Sequence, residues 1–396
     1  MRTSSASLRG ALALAVATLS LAAQTPGSGK YFLYAGTSTN RSTSKGIYVS
    51  RYDSSTGKVE PLELAAESPS PTFLAVHPNH KFLYSVNEIS NFGAPGATPG
   101  ATPAARTGSV TAFSIDPKTG HLTQLNSVAS KGGGPTHLSI DRTGKWVAAA
   151  NYGGGSTVLF PVHDDGTLGE ATGFVQHSGS STTPRQAGPH AHGAYFSPDS
   201  RFVFVCDLGL DKIMAYRIDA SGTLSPLDPA FAALKPGSGP RHMAFAPNGR
   251  FAYTANELNS TVTAFSYDKA TGRLSEIQTL PSITGYEGAN GVNYPAEIEV
   301  DAKGRFVYSA NRNGDNIAVF AIGADGKLTP SSQTSVGGKY PRHFALDPSG
   351  KFLFAENQNS ENIVQFRVDQ TTGALTATGI ELKVANPMCV VFVPAP

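Results

Sequence analysis

Four residues stand out in this chain because they interrupt an otherwise regular sequence pattern. His192 lies in PHAHG, Arg241 in GPRH, Glu257 in TANE and Arg312 in SANR. Guanidinium groups bind carboxylate and phosphate oxygens through paired N–H donors, and an imidazole or a carboxylate can transfer a proton. The four residue types therefore predict an acid–base site beside an anion clamp. They are spread over 120 residues, so the fold must bring them together.

A recurring phrase along the chain predicts that fold. Each copy has a turn rich in Pro, Asp, Asn and Gly, then Lys or Arg, a β-rich run and a final Asn or Asp. The copies end, 46 to 64 residues apart, at Asn87, Asn151, Asp207, Asn256, Asn311 and Asn357, and a degenerate copy opens at Tyr31. A period near 50 residues made of short strands and tight turns is typical of propeller blades.

Each repeat contains four short β-runs separated by turn residues, as in the stretch after Gly239. The predicted blades cover residues 71–130, 135–180, 190–235, 240–283, 294–336 and 341–383. Residues 31–66 supply three further strands, and the run from Pro387 to Val393 is a strand start with nothing after it. We expect this last run to complete the first blade. The prediction is an all-β, seven-bladed propeller with four antiparallel strands per blade, covering residues 31–396 and closed by the C-terminal strand.

Strand direction alternates in such a blade, so the start of the first strand and the end of the second lie at the same face of the disc. The strand starts place one set of side chains at this mouth: Phe73, His137, His192, His242, Glu297, His343 and Cys389. The residues after each Asn or Asp form a second set: Thr37, Glu88, Tyr152, Leu208, Glu257, Arg312 and Gln358. With Arg241 and Arg342, four His, three Glu and three Arg converge on one mouth. Buried ionisable groups are costly unless paired, so this convergence indicates function.

Structural interpretations compete with the functional one. An Asn or Asp that repeats in six blades is better explained as a loop cap than as a site residue. His137 and His343 have the alternative of bonding backbone groups at a blade junction. Imidazoles and carboxylates also suit zinc or iron, but ligands supplied one per blade across a wide channel rarely converge, and we expect no metal.

Composition limits the partners and the compartment. The formal net charge is +2, from 31 basic and 29 acidic residues, which indicates neither nucleic acid nor a membrane surface as partner. Arg2 and Arg9 precede an apolar run at residues 11–21, so residues 1–23 are predicted to be a signal peptide of an exported protein, with an uncleaved anchor as the alternative. Cys206 and Cys389 are expected on nearly opposite sides of the ring, too far apart for a disulfide.

Three longer motifs identify a resemblance. The stretch PRHxAFxPNGRFxYxxNE (Pro240 to Glu257), PHAHG (Pro189 to Gly193) and SANRxxDxIAVF (Ser309 to Phe320) resemble the seven-bladed lactonase family. Its members are propeller-type 6-phosphogluconolactonases and fungal carboxymuconate-lactonising enzymes. The resemblance covers the chain after residue 30 and implies lactone chemistry without a metal or organic cofactor.

The resemblance also implies a set of site residues. The family's His, Arg, Glu and second Arg fall on His192, Arg241, Glu257 and Arg312, the same four that interrupt the repeat. Around them we expect further substrate-binding residues: His190, His242, Asn256, Glu297, Arg342 and His343. The favoured hypothesis is hydrolysis of a sugar-type lactone by direct water attack, with either His192 or Glu257 as the base. The alternatives are a lactonising cyclase acting on a muconate-type dicarboxylate, and a non-enzymatic exported propeller. The expected partner is a small lactone or an anionic sugar acid, bound by a monomer.

Overall fold

The computed structural model describes residues 29–93, 106–285 and 292–396. The predicted signal peptide, residues 1–23, lies outside these ranges, as do residues 94–105 of a segment rich in Gly, Ala and Pro. The described residues form 29 strands and two short 3₁₀ helices, Pro184–Gln186 and Gln358–Ser360. No helix in these ranges combines the length and the apolar character that crossing a membrane requires.

The strands group into seven antiparallel sheets, which we number as blades 1 to 7. Blade 1 contains β1 (Lys30–Thr37), β2 (Gly46–Asp53), β3 (Lys58–Val59), β4 (Glu63–Glu67) and the last strand of the chain, β29 (Pro387–Pro394). Blade 2 contains β5 (Phe73–Val76), β6 (Phe82–Asn87), β7 (Ser109–Ile115) and β8 (Leu122–Ala129). Blade 3 contains β9 (Pro135–Ile140), β10 (Trp146–Asn151), β11 (Ser156–Pro161) and β12 (Gly173–Gln176). Blade 4 contains β13 (Ala191–Phe196), β14 (Phe202–Asp207), β15 (Lys212–Ile218) and β16 (Leu224–Ala233).

The remaining blades repeat this order of strands. Blade 5 contains β17 (Pro240–Phe245), β18 (Phe251–Asn256), β19 (Thr261–Asp268) and β20 (Arg273–Pro281). Blade 6 contains β21 (Pro295–Val300), β22 (Phe306–Asn311), β23 (Asn316–Ile322) and β24 (Leu328–Ser335). Blade 7 contains β25 (Pro341–Leu346), β26 (Phe352–Asn357), β27 (Asn362–Val368) and β28 (Leu375–Lys383).

Closure of the ring follows the prediction. The C-terminal strand β29 pairs antiparallel with β1, from Tyr31 opposite Pro394 to Thr37 opposite Pro387. It thereby becomes the innermost strand of blade 1, whose outer position is divided between β3 and β4. The seven-bladed, all-β fold is confirmed. Cys206 and Cys389 are buried and are not bonded to each other.

A contact that recurs between neighbouring blades explains two positions of the sequence repeat: the glycine in the turn before the outer strand and the aromatic residue near the start of the second strand. The turn before each outer strand carries a glycine with φ between about +74° and +85°, and its α-carbon faces an aromatic residue near the start of the second strand in the preceding blade. A side chain would collide there: an added Cβ lies 2.7 Å from the ring of Phe32 at Gly120 and 2.3 Å from that of Phe251 at Gly326. The turn of blade 1, at Gly57, packs in the same way on Phe352 of blade 7 and so seals the ring.

The mouth is built by a hydrogen bond that recurs in all seven blades. The backbone N–H of the residue after the Asn or Asp donates to the carbonyl of the residue just before the proline that opens the blade (Ala191 in blade 4), as from Glu257 to Gly239 at 2.8 Å. In blade 1 the donor is Ser38, bonded to Asn386 at 3.1 Å. Ser38, and not Thr37 as the sequence suggested, is therefore the blade 1 member of the second set; Thr37 takes the Asn position, opposite Pro387.

A β-bulge at the start of the first strand in six of the seven blades directs the next residue toward the mouth. In blade 5, Pro240 pairs with Asn256 and His242 with Ala255, so Arg241 is left unpaired and points out of the ladder. The same shift occurs in blade 4 between Ala191 and Gly193.

This register corrects the placement of His192. Its structural equivalents are Arg241 and Arg342, not His242 and His343, because the sequence alignment of PHAHG with PRH was one residue out of register. Gly193 occupies the position of those histidines, and an added Cβ there would lie 2.6 Å from the ring of Tyr195. Tyr195 fills the space instead, with its ring 4.5 Å from that of His137.

Candidate active site

An open cleft of about 410 Å³ lies at the mouth of the ring, a size typical of small-molecule sites, which span roughly 300–1,000 Å³. Side chains from blades 2 to 7, together with the loop between blades 3 and 4, line it. They are Glu88, Thr136, Tyr152, Arg185, His192, Glu257, Tyr294, Arg312, Tyr340 and Arg342. Three of the four residues singled out in the sequence are in this lining, and the fourth, Arg241, contacts it through Glu257.

Glu257 is the centre of a cluster of three arginines. Its Oε2 lies 2.6 Å from Nη2 of Arg312 and 3.2 Å from Nε of Arg241, and its Oε1 lies 2.7 Å from Nη1 of Arg185. The contacts of Arg241 Nε and Arg312 Nη2 with Glu257 are close charge contacts without an aligned N–H, and Nη1 of Arg241 donates to the carbonyl of Ala296 at 2.8 Å. Glu257, Arg241 and Arg312 are only 3, 2 and 4 % exposed, so these charges depend on one another rather than on water.

The charges set the protonation of the cluster. Burial acts to raise the pKa of Glu257, but Arg312, Arg241 and Arg185 outweigh it and lower the pKa to about 2. Burial, followed by repulsion from Arg312 and Arg342, lowers the pKa of Arg241 to about 9. Glu257 is thus a carboxylate at neutral pH with both oxygens occupied, which makes it a weak proton acceptor.

His192 lies beside this cluster in the opposite electrostatic state. Burial, and then the charge of Arg241, hold the pKa of its imidazole well below the usual 6.5, so the ring is neutral at pH 7. Among the described residues neither ring nitrogen has a hydrogen-bond partner, and Nδ1 is sealed from solvent. The ring stands edge to face with Tyr152 at 5.4 Å and with His242 at 5.1 Å. A buried, neutral and unpartnered imidazole at a cleft is a candidate proton acceptor.

Arg185 reaches Glu257 from the segment that joins blades 3 and 4. The segment is fixed at its base: His177 Nδ1 lies 2.6 Å from Oδ2 of Asp207, whose Oδ1 accepts from the N–H of His190 at 2.8 Å. Gln186 adds a bond from its side-chain amide to the carbonyl of Leu208 at 2.9 Å. Arg185 itself is 45 % exposed along its side chain, so it forms the outer wall of the cleft.

Aromatic rings hold the outer arginines in place. The guanidinium carbon of Arg312 lies 5.7 Å from the centre of the Tyr294 ring and 5.3 Å from that of Tyr340. Arg312 Nε donates to the carbonyl of Tyr294 at 3.0 Å. Arg185 lies 6.0 Å from the ring of Tyr294 and donates to the hydroxyl of Tyr152 at 3.1 Å. Cation–π contacts of this kind orient a guanidinium while leaving its N–H groups available.

Beneath the cleft, the third residues of the strand starts contact one another and fill the channel. His242 Nδ1 and His343 Nε2 lie 2.8 Å and 3.3 Å from the same oxygen, Oε2 of Glu297, and His343 Nδ1 lies 2.8 Å from Glu356. The ring of Phe73 packs 5.4 Å from that of His343. Burial raises the pKa of Glu297 and raises that of Glu356 well above its usual value.

The predicted substrate-binding residues therefore divide into two groups. Arg342 lines the cleft, and His190 lies at its edge with its ring stacked 4.6 Å from that of Tyr152. The structure does not bring the other four to the cleft: His242, Glu297 and His343 belong to the buried layer below it. Asn256 turns into its own blade, where its amide donates to Thr261 and Thr263, as expected of a loop cap.

In residues 29–93, 106–285 and 292–396, no group of three or more His, Cys, Asp and Glu side chains is placed to hold an ion. The histidines of the channel are instead paired with carboxylates or packed on aromatic rings.

Sequence reasoning missed Arg185, Tyr294 and Tyr340. Arg185 belongs to an insertion, where the repeat offers no position for comparison. Tyr294 and Tyr340 did carry a signal: each directly precedes the first proline of its blade, where blades 3 and 5 have Gly134 and Gly239. A tyrosine in place of a glycine at a turn is unexpected and marks a position under another constraint.

The chain is similar to known proteins over most of its length. Residues 32–392 match the family model described as "Lactonase, 7-bladed beta-propeller". The chain is 36 % identical over 364 residues to 6-phosphogluconolactonase of Bacillus subtilis, covering 92 % of this chain and 98 % of the relative. It is 33 % identical over 295 residues to 6-phosphogluconolactonase of Formosa agariphila, covering 73 % and 78 %.

A solved structure shows the same likeness in three dimensions. The periplasmic gluconolactonase PpgL of Pseudomonas aeruginosa superposes with a TM-score of 0.84 at 34 % identity, covering 93 % of this chain and 100 % of that one. The family match spans all seven blades, from the first strand to the strand that closes the ring. The chain belongs to the seven-bladed β-propeller lactonase family.

Proposed function

We propose that the protein hydrolyses a sugar-type lactone to its hydroxy acid. The observation that carries the proposal is the pairing, in one cleft, of a neutral unpartnered imidazole with arginines fixed by a buried carboxylate. Ester hydrolysis needs both parts, a base to activate water and positive charge where the carbonyl oxygen becomes negative. The relatives named above, a 6-phosphogluconolactonase and a gluconolactonase, support the same reaction class.

His192 is the base in this proposal, and Glu257 is not. Glu257 has a pKa of about 2, and both of its oxygens are engaged by arginines, so it has little tendency to take a proton. Its role is to hold Arg241 and Arg312 at fixed positions in a site that buries them. His192 is neutral at pH 7 and has no competing partner among the described residues.

The reaction then proceeds in two steps. His192 takes a proton from a water molecule while the water oxygen bonds to the lactone carbonyl carbon, and the carbonyl oxygen becomes an oxyanion beside the guanidinium groups. The oxyanion then re-forms the carbonyl, the bond from that carbon to the ring oxygen breaks, and the imidazolium returns its proton to the ring oxygen. The products are a hydroxyl and a carboxylic acid, which ionises, and His192 is neutral again.

Arg312 is the better candidate for the oxyanion contact. Arg312 lines the cleft, whereas Arg241 lies one layer deeper and its Nη1 already donates to the carbonyl of Ala296. Arg342 is available for a second anionic group, because no described side chain forms an ion pair or hydrogen bond with it. A substrate bearing a carboxylate or phosphate, as well as a neutral sugar lactone, therefore suits the cleft.

Two alternatives receive less support. A lactonising cyclase would use the same arginines on a dicarboxylate, but the relatives cited above are named for lactone hydrolysis. A non-enzymatic binding protein has no need of an unpartnered imidazole inside an arginine cluster. We also propose that the protein acts after export, since residues 1–23 have the layout of a signal peptide and PpgL is described as periplasmic.

The test is a proton-release assay with purified protein lacking residues 1–23. The substrates are glucono-δ-lactone and its 6-phosphate, with spontaneous hydrolysis subtracted, and a muconate-type dicarboxylate is followed by absorbance. We expect hydrolysis of at least one lactone and a fall of roughly 10²–10⁴ in kcat for His192→Ala. Replacement of the exposed Glu170 by Gln is the control and should leave the rate unchanged. No catalysis above background on either lactone would refute the proposal, and turnover of the dicarboxylate would favour the cyclase.

A further inference from the structure

The residue before the proline that opens the blade has an unusual backbone conformation in the six blades that have such a proline. Its φ is positive, in the left-handed region, at Ser70 (43°), Gly134 (57°), Gly239 (63°), Tyr294 (57°), Tyr340 (64°) and Asn386 (48°). Glycine, asparagine and small polar residues enter this region most readily, whereas a bulky side chain is rare there. Tyr294 and Tyr340 are thus the two positions where the chain accepts a strained aromatic residue.

The strain does not arise from a local need for tyrosine. The left-handed turn places the carbonyl of each of these residues on the N–H of the residue after the Asn, at 2.8 Å from Gly239 and 3.1 Å from Tyr340. Glycine makes this bond as well as tyrosine does, since only the backbone takes part. The tyrosine side chains must therefore serve a purpose outside the turn, and strained residues of this kind concentrate at functional sites.

Both side chains meet on one group. Their rings lie on the guanidinium of Arg312, with centres 5.7 Å and 5.3 Å from its central carbon, and the Tyr340 hydroxyl is 3.5 Å from Nη1. Both rings are half-buried and line the cleft. Glu257 holds Nη2 of the same guanidinium at 2.6 Å. Two aromatic faces and one carboxylate thus define the position of a single arginine.

We propose that Tyr294 and Tyr340 are positioning residues of the lactonase site: they clamp Arg312 in the orientation that receives the oxyanion. This inference rests on the proposed function, in which Arg312 makes that contact. Without the two rings, Glu257 and the backbone carbonyl of Tyr294 would hold the guanidinium only at Nη2 and Nε, with nothing against its faces. A displaced donor loses much of its effect in the transition state. The strained backbone is retained because a glycine there would leave Arg312 without its aromatic walls.

The principal test compares three substitutions of Tyr340, whose ring lies closer to the guanidinium of Arg312 than the ring of Tyr294 does. Tyr340→Phe keeps both ring and strain, Tyr340→Ala keeps the strain and removes the ring, and Tyr340→Asn removes the ring and relieves the strain. We expect kcat to fall about tenfold or more in the Ala and Asn variants with little change in KM, and to stay within about threefold in the Phe variant. The Asn variant should melt about 1–2 °C above the Ala variant.

Asn386→Ala is the matched control. It places alanine in the same left-handed turn of blade 1, outside the cleft, so it should lower Tm and leave kcat unchanged. If Tyr340→Ala and Tyr340→Asn keep the kcat of the wild-type protein, or if only KM rises, Tyr340 does not position Arg312 and the inference is wrong.

A double variant separates positioning from general damage. If Tyr340 acts through Arg312, Tyr340→Ala should cost about tenfold in the wild-type background and less than about twofold when Arg312 is already lysine. Equal losses in the two backgrounds would overturn the clamp. Failure of the proposed function would look different, since the wild-type protein itself would then show no lactone hydrolysis to compare.

Discussion

Replacement of Glu257 by Gln tests the charge balance on which the site depends. The change removes the negative charge at the centre of the cluster and keeps the shape of the side chain. Arg241 and Arg312 then remain buried, 2 % and 4 % exposed, without the carboxylate that compensates them. Removal of one partner from a buried ion pair costs about 3–5 kcal/mol, far more than the loss of a surface pair.

The structure gives a second route to the same magnitude. The pKa of Glu257 is about 2 in the folded protein, against an ordinary value of 4.5. Each tenfold change in an acid dissociation constant corresponds to about 1.4 kcal/mol, so the ionised carboxylate contributes about 3 kcal/mol to stability at pH 7. Because the folded pKa is lowered, this contribution is present above about pH 4.5 and is lost as the pH falls toward 2. About half of it remains at pH 3.

The assay is urea unfolding of the wild-type protein and Glu257→Gln at pH 7 and at pH 3. We expect the variant to be less stable by about 3 kcal/mol at pH 7 and by about 1.5 kcal/mol at pH 3, with lactonase activity strongly reduced. Glu170→Gln, at an exposed position, should match the wild-type protein at both pH values. Equal stability of Glu257→Gln and wild type at pH 7, or a difference that does not narrow on acidification, would refute the reasoning.

Three further predictions concern single features. Because the pKa of His192 lies well below 6.5, kcat/KM should not fall until the pH is well below 6; an acid limb centred near pH 6.5 in the pH profile would exclude this histidine as the base. Gly326→Ala would place a methyl group 2.3 Å from the ring of Phe251, so urea titration should show a loss of about 1–3 kcal/mol, whereas Gly249→Ala, with nothing within 4 Å, should lose less. Arg185→Gln removes a half-exposed ion pair, so we expect a loss of less than about 1 kcal/mol in the free energy of unfolding. KM should rise several-fold, because Arg185 forms the outer wall of the cleft; an unchanged KM would contradict this role.

The sequence was most informative where the repeat was regular. Blade number, strand order and closure by β29 follow from a phrase that recurs with fixed turn chemistry, because each copy must build the same antiparallel sheet. Arg241, Glu257 and Arg312 could be selected as a group for the same reason. Glu257 and Arg312 occupy equivalent positions of the adjacent blades 5 and 6, Arg241 lies at the start of blade 5, and the fold then brings the three together.

The errors in placing individual residues have one physical source, which is backbone geometry that cannot be read from the order of residue types. A β-bulge inserts a residue without changing the motif, so His192 was paired with His242 when its true equivalent is Arg241. Depth along the channel is equally invisible in a sequence. Arg241 and His242 are consecutive residues, yet Arg241 belongs to the charge cluster below the cleft surface and His242 belongs to the buried layer beneath it. Arg185 lies in an insertion, where no repeat constrains the prediction.

Closure by the last strand has a consequence for the order in which this protein matures. The innermost strand of blade 1, β29, is synthesised after every other strand of the propeller, and the first seven strands emerge more than 260 residues before it. Until then β1 has no inner neighbour, and its free edge can pair with other chains. The ring cannot close before β29 has been synthesised, so deletion of residues 387–396 would remove the strand pairing that holds the whole circle shut.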